Sequence, residues 1–135
     1  MIKGIHHVAL RCIDMDNYRE TLDFYENVIG MKVRYSWGDG DFAATMLELN
    51  GDVIEIFSTG RASGETGTIN HFYFETDDPT ESALKVLKAG YSVIVPPSNV
   101  RLRLNDSENE YLCLTYAYCV GPVGEVIEFY KEFDD

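Results

Sequence analysis

Lysine and arginine are scarce: 11 residues in 135, against 23 aspartates and glutamates, for a formal charge of −12 at pH 7. Nucleic acid and anionic membrane surfaces attract proteins through clustered cations, so the deficit excludes both as expected partners. Cysteine is scarce too. Cys12, Cys113 and Cys119 form no CxxC pair, and an odd number would leave one thiol over in an oxidising compartment, so they read as reduced, buried, small hydrophobes. No apolar run approaches the roughly 20 residues that span a bilayer. The N-terminus runs almost directly into IHHVAL, without the charged start, long apolar stretch and small-residue cleavage site of a secretory signal. The expectation is a cytoplasmic protein. Its length, 135 residues, is that of one domain able to bury a core.

The pattern that is present repeats itself. Ile5 to Ile13 reads as a strand buried on most of both faces. Asn17 with Glu20 has the form of a capping box, and Tyr18, Leu22, Tyr25 and Ile29 recur at helical spacing before Gly30. Strands follow over Met31 to Trp37, Phe42 to Leu49 and Val53 to Ser58, with Asn50-Gly51 as a tight hairpin. The glycine-rich stretch STGRASGETG, Ser58 to Gly67, serves as a connector. The order then begins again: a strand over Ile69 to Thr76, and a helix started by Asp78-Pro79 with Glu81, carrying Ala83, Leu84 and Leu87 and closed by Gly90. A strand over Tyr91 to Val95 is expected to end at Pro96-Pro97, with a polar loop over Ser98 to Glu110. Two last strands, Tyr111 to Val120 and Glu125 to Tyr130, flank the turn GPVG. The fold class is α+β: two βαβββ modules, about 1–58 and 68–135, within one domain. Neither module is large enough to bury its own sheet alone, so equivalent positions are expected to face each other.

Two chemical features fall on equivalent positions. Two of the three histidines, His7 and His71, share one place on the first strand of each half. Glu55 in DVIEIFS and Glu128 in GEVIEFY share one place on the last strand, between apolar neighbours. An ionised carboxylate there must be protonated, paired with a cation or bound to a metal, because burying it bare is too costly.

These residues carry a resemblance. HHVALR at His6 to Arg11, FYENVIGMKV at Phe24 to Val33, VIEIF at Val53 to Phe57, NHFYFETDD at Asn70 to Asp78 and GPVGEVIEFY at Gly121 to Tyr130 together resemble the vicinal-oxygen-chelate superfamily over nearly the whole chain. The resemblance implies tandem βαβββ modules forming a curved, cup-shaped mixed sheet. It also implies one divalent metal per site, Ni, Co, Zn, Mn or Fe, held by His7, Glu55, His71 and Glu128, with no organic cofactor. Those four match the glyoxalase I pattern, in which a glutamate at the place of Glu128 moves the proton next to a carbonyl and Glu55 stands beside it. The implied activity is that of a metal-dependent lyase or isomerase working through an enediolate on a small α-ketoaldehyde or its thiol adduct. An epimerase or dioxygenase of the same fold, or a metal-free drug-binding protein of the bleomycin-resistance type, are the alternatives. A small-molecule substrate and a homodimer are implied as partners. Arg11 matches an arginine that contacts glutathione in glyoxalase I. Two departures set this chain apart: Thr59 stands where that enzyme has asparagine, and GPVG replaces the usual DPDG.

Blander readings accompany the other residues. His6 alternates away from His7 and is not expected to be a ligand. Arg101 and Arg103, alternating with Leu102 and Leu104, read either as one face of an ordinary strand or, with Arg11, as a clamp for an anionic substrate group. Tyr35 and Trp37 read as core or interface aromatics, and the acidic end Glu132 to Asp135 as a solvated terminus.

Overall fold

Helix starts and tight turns set the order of elements. The computed structural model describes residues 1, 3, 5–58, 71–104 and 111–134. Its contacts divide the chain into two units, Met1–Glu65 with Pro122–Gly124, and Thr66–Gly121 with Glu125–Asp135. The connector and Thr59 lie outside the described residues.

In the first unit, β1 (Val8–Arg11) is followed by α1 (Met15–Asp23), a π-helical turn over Phe24–Ile29, and the strands β2 (Lys32–Trp37), β3 (Ala44–Leu49) and β4 (Asp52–Phe57). The helix is capped three residues earlier than Asn17. Asp14 is the cap, its carboxylate accepting from the Asn17 backbone N–H at 2.8 Å, while the Asn17 side chain accepts from Ile13 N–H at 3.0 Å. Asn17 therefore sits inside the first turn, where its amide reaches back to a donor the helix leaves orphaned. Gly30 ends the helical run in the left-handed conformation, φ 94°, where a side chain would be strained. Asn50 and Gly51 both have positive φ, 51° and 90°, the geometry of a type I′ hairpin, whose twist matches the strands it joins.

The sheet order is β1-β4-β3-β2, with β1 parallel to β4 and the other pairs antiparallel. One face carries Leu47, Ile54 and Ile56, which are buried with Tyr18, Thr21, Phe24 and Tyr25 of the helical segment. The Tyr18 and Thr45 hydroxyls meet at 2.6 Å, and the Thr21 hydroxyl donates to the Asn17 carbonyl at 2.6 Å, so the polar groups at this packing contact are satisfied. β1 is shorter than the apolar run around it and is half-exposed, with Ala9 and Arg11 open to solvent rather than buried.

The second unit repeats the plan with β5 (Phe72–Glu75), α2 (Pro79–Lys88), β6 (Ser92–Arg103), β7 (Tyr111–Val120) and β8 (Val126–Phe133), in the order β5-β8-β7-β6. Asp78 caps α2, accepting from Glu81 N–H at 3.0 Å, with Pro79 in the first turn, as the sequence predicts. The buried face of α2 is Pro79, Ala83 and Val86. Leu84 and Leu87 are exposed: the buried stripe runs from Ala83 to Val86, leaving Leu84 on the far side and Leu87 at its margin.

β6 corrects the expected break at Pro96-Pro97: the strand passes through both prolines and takes in the segment expected to be loop, as far as Arg103. The reason is its place. β6 is an edge strand, and its register with β7 shifts between Val93 and Val95 and again between Val95 and Ser98, so the missing proline N–H groups fall at bulges rather than in the ladder. β8 likewise runs on to Phe133, placing Glu132 in a strand instead of a free end. Each unit is thus a βαβββ module with its own mixed four-stranded sheet.

Candidate functional site

Strand pairing places the glutamates before any chemistry is considered. β4 lies between β1 and β3, and β8 between β5 and β7. Glu55 and Glu128 are therefore central-strand residues, 7% and 9% exposed, not edge acids turned to water. A histidine just before the neighbouring parallel strand meets each of them. His7 Nε2 is 3.2 Å from Glu55 Oε1, and His71 Nε2 is 3.9 Å from Glu128 Oε2. Among the described residues no group of three or more His, Cys, Asp or Glu side chains is gathered to hold a metal ion. The donors come as two pairs, one in each unit. An imidazole nitrogen facing a carboxylate oxygen is a donor set that suits first-row divalent ions, and both glutamates are too buried to be left without a cationic partner.

His6 belongs to this geometry, contrary to the alternation argument. Its Nδ1 is 2.9 Å from His7 Nδ1, with the two rings edge to face. Alternation does not govern the pair because β1 begins only at Val8. Two neutral imidazoles sharing that contact hold one proton between them. With the proton on His7 Nδ1, the Nε2 lone pair faces Glu55 and is available to a metal; with it on His6, His7 donates from Nε2 to Glu55. The neighbour thus decides which nitrogen of His7 can act as a ligand.

Around Glu55 the same sheet face is largely apolar. Ala9 and Met46 pair with it, and Ala44 and Arg11 pair with Phe57, two residues on. The Arg11 guanidinium lies over the Phe57 ring, 5.5 Å from its centre. Tyr35 and Trp37 extend this face through Met46 and Ala44 and are 57% and 45% exposed, so neither is a core residue.

Around Glu128 the face is phenolic. Tyr73 and Tyr118 pair with it, and Tyr116 pairs with Tyr130, two residues on. Tyr116, Tyr118 and Tyr130, with Val100, Leu102 and Leu114 from β6 and β7, bound a pocket of about 320 Å³ in which Glu128 is the one charged lining residue among those described. The Tyr118 phenol is pushed up to about 12 by partial burial and by its hydrogen bond to Glu128. Tyr130 also reaches about 12, chiefly because its hydroxyl donates to Glu132 at 2.7 Å. Both phenols are neutral donors across the physiological range. The tyrosines were legible as a face: in LTYAYCV, strand alternation puts Tyr116 and Tyr118 on one side and buried Ala117 and Cys119 on the other.

The other two candidate arginines lie on β6. Register pairs Arg101 with Cys113 and Arg103 with Tyr111, while Val100 and Leu102, of the opposite parity, line the pocket. The Arg101 guanidinium lies over the Tyr111 ring, 3.4 Å from its centre.

A family model described as the Glyoxalase/Bleomycin resistance protein/Dioxygenase superfamily matches residues 4–101. The chain belongs to that superfamily. No curated protein matches it. Among solved structures, the superfamily protein from Alicyclobacillus acidocaldarius is 20% identical with TM-score 0.66, covering 98% of this chain and 93% of that one. A mutant of the fosfomycin resistance protein FosX from Listeria monocytogenes, complexed with Mn(II) and 1S,2S-dihydroxypropylphosphonic acid, is 20% identical with TM-score 0.70, covering 96% and 90%. The glyoxalase family protein from Enterococcus faecalis is 20% identical with TM-score 0.66, covering 96% and 98%. At these identities the likeness establishes the fold: a glyoxalase-like pair of βαβββ modules. No helix among the described residues is long and apolar enough to cross a membrane.

Proposed function

We infer that this superfamily member is a metal-dependent lyase or isomerase, and that His7, Glu55, His71 and Glu128 are the protein donors to one divalent ion per chain. The observation that carries the reading is the repetition, at equivalent positions in both units, of a buried glutamate met by a partly exposed histidine. A structural relative complexed with Mn(II) supports it. Two imidazoles and two carboxylates form a donor set open to Ni, Co, Zn, Mn or Fe, which would supply Lewis-acid polarisation of a substrate oxygen.

The chain's own residues then divide the work. Glu128, held by the Tyr118 hydroxyl, is the base that takes and returns the proton on the carbon next to a carbonyl, giving isomerisation through an enediolate. Glu55, facing His7, carries the second carboxylate charge. His6 holds the His7 tautomer. Arg11, engaged with Phe57, is available to the substrate from the first unit.

The test is the disproportionation of α-ketoaldehydes, methylglyoxal and phenylglyoxal, each with glutathione and with an uncharged thiol, on protein loaded in turn with Ni, Co, Zn, Mn and Fe. Product with at least one metal, lost in Glu128→Gln, is the expected result. Silence with every metal and thiol contradicts the reaction assigned.

A further inference from the structure

The two pairs are alike, but their surroundings are not, and the difference speaks to substrate. We propose that the second unit selects a substrate with an uncharged aromatic or branched apolar body, the oxygens that engage the metal lying at one end, and that it rejects substrates carrying a second anionic group. The statement about the metal end rests on the reading above; the statement about the body rests on the pocket alone.

Three observations converge. The pocket, about 320 Å³, lies at the lower end of cavities that enclose drug-sized ligands. A three-carbon ketoaldehyde would leave most of it to water. Its walls offer aromatic faces and aliphatic side chains: Tyr116 and Tyr118 meet edge to face at 5.7 Å, and Val100, Leu102 and Leu114 stand beside them. An aryl ring gains from such walls both by burial and by edge or offset contacts.

The charge points the same way. Among the described residues no lysine or arginine lines the pocket. Where the first unit has Arg11, paired with Phe57, the second has Glu75, paired with Tyr130. Two of the three lining phenols already donate to carboxylates, Tyr118 to Glu128 and Tyr130 to Glu132. A carboxylate or phosphonate on the substrate body would lose water and find a carboxylate in the wall, with no cation to replace the loss.

The experiment is calorimetric titration of the metal-loaded full chain with three hydroxamates, which all chelate through two neighbouring oxygens: acetohydroxamate, benzohydroxamate and 4-carboxybenzohydroxamate. Benzohydroxamate is expected to bind at least about 10-fold tighter than acetohydroxamate, and the 4-carboxy compound several-fold weaker than benzohydroxamate. Tyr116→Ala should remove the phenyl preference without changing metal content. Leu102→Lys should reverse the penalty on the carboxylate, a gain that misfolding cannot imitate. Equal binding of the first two, or tightest binding of the 4-carboxy compound, overturns the proposal.

A parallel arm keeps this separate from the metal reading. On chelator-stripped protein, ligand-observed NMR with benzamide, acetamide and benzoate should give the same order, benzamide strongest. If the protein takes up no metal yet that order holds, the metal assignment fails and the pocket assignment stands. If metal binds and the amides and hydroxamates show no preference, the pocket assignment fails instead.

Discussion

Across the two units, each position flanking the buried glutamate has a counterpart, and the counterparts diverge in one direction. Ala9 and Met46 pair with Glu55; Tyr73 and Tyr118 pair with Glu128. Two residues on, Phe57 pairs with Ala44, whereas Tyr130 pairs with Tyr116. The opposite face of both sheets stays apolar, with Ile54 and Ile127 buried at matching places, one residue before each glutamate. The repeat thus preserves what the fold and the His–Glu pair need, and varies the layer that would touch a substrate. The first unit is a near-featureless frame for its carboxylate. The second holds its own with a phenol hydrogen bond and surrounds it with rings.

The preserved layer should yield the largest effects, and equally on both sides. Ile54→Ala and Ile127→Ala are each expected to cost about 2–5 kcal/mol in urea denaturation, since each leaves a cavity in a closed core. A loss confined to one of them would break the equivalence of the two cores. The varied layer should respond on one side alone. Tyr118→Phe removes the hydrogen bond to Glu128 and should weaken metal binding about 10-fold in competition with a chelating dye, the lower end of what orienting partners contribute. Met46→Leu, at the counterpart position, should leave affinity unchanged; an equal loss in both would contradict the asymmetry.

Alkaline pH sharpens the comparison further. Burial pushes the Cys119 thiol, on the core face of β7, up to about 11 from an ordinary value of 9.0. A raised folded value means stability that is complete below the unfolded value and is lost as pH rises through the folded one, here between about 9 and 11. The slope is at most about 1.4 kcal/mol per pH unit. Tyr118 and Tyr130 add a smaller fall between 10 and about 12, damped because both are partly exposed. Cys119→Ala should flatten the first part of this decline in denaturation series at pH 8, 10 and 11. Arg101→Ala should have the least effect: under about 1 kcal/mol of stability from the lost contact with Tyr111, and no change in benzohydroxamate affinity.

Much of the fold was legible because local chemistry and global fold agree. Asn50-Gly51, Asp78-Pro79 and the glycines at 30 and 90 each sit where the backbone turns or a helix starts or stops. The β6 path was not legible, because prolines break a central strand but not an edge strand, and edge position is a property of the sheet rather than of the segment. His6 is exposed, as a surface residue, but its ring meets that of His7, because alternation holds only within a strand and β1 starts two residues later. Of the site, the pairing of His7 with Glu55 and of His71 with Glu128 followed from the repeat. The tyrosine face was visible in the alternation of β7, but its meaning required β6, and so Leu102 and Val100, to be a strand beside it.

The metal is what joins the two His–Glu pairs into one site in the function proposed. Metal content of untagged protein, purified without chelator and measured by mass spectrometry, should be close to one Ni, Co, Zn, Mn or Fe per chain, and should be lost in both Glu55→Ala and Glu128→Ala. Wild-type protein that takes up none of these ions, even after incubation with each, would contradict it.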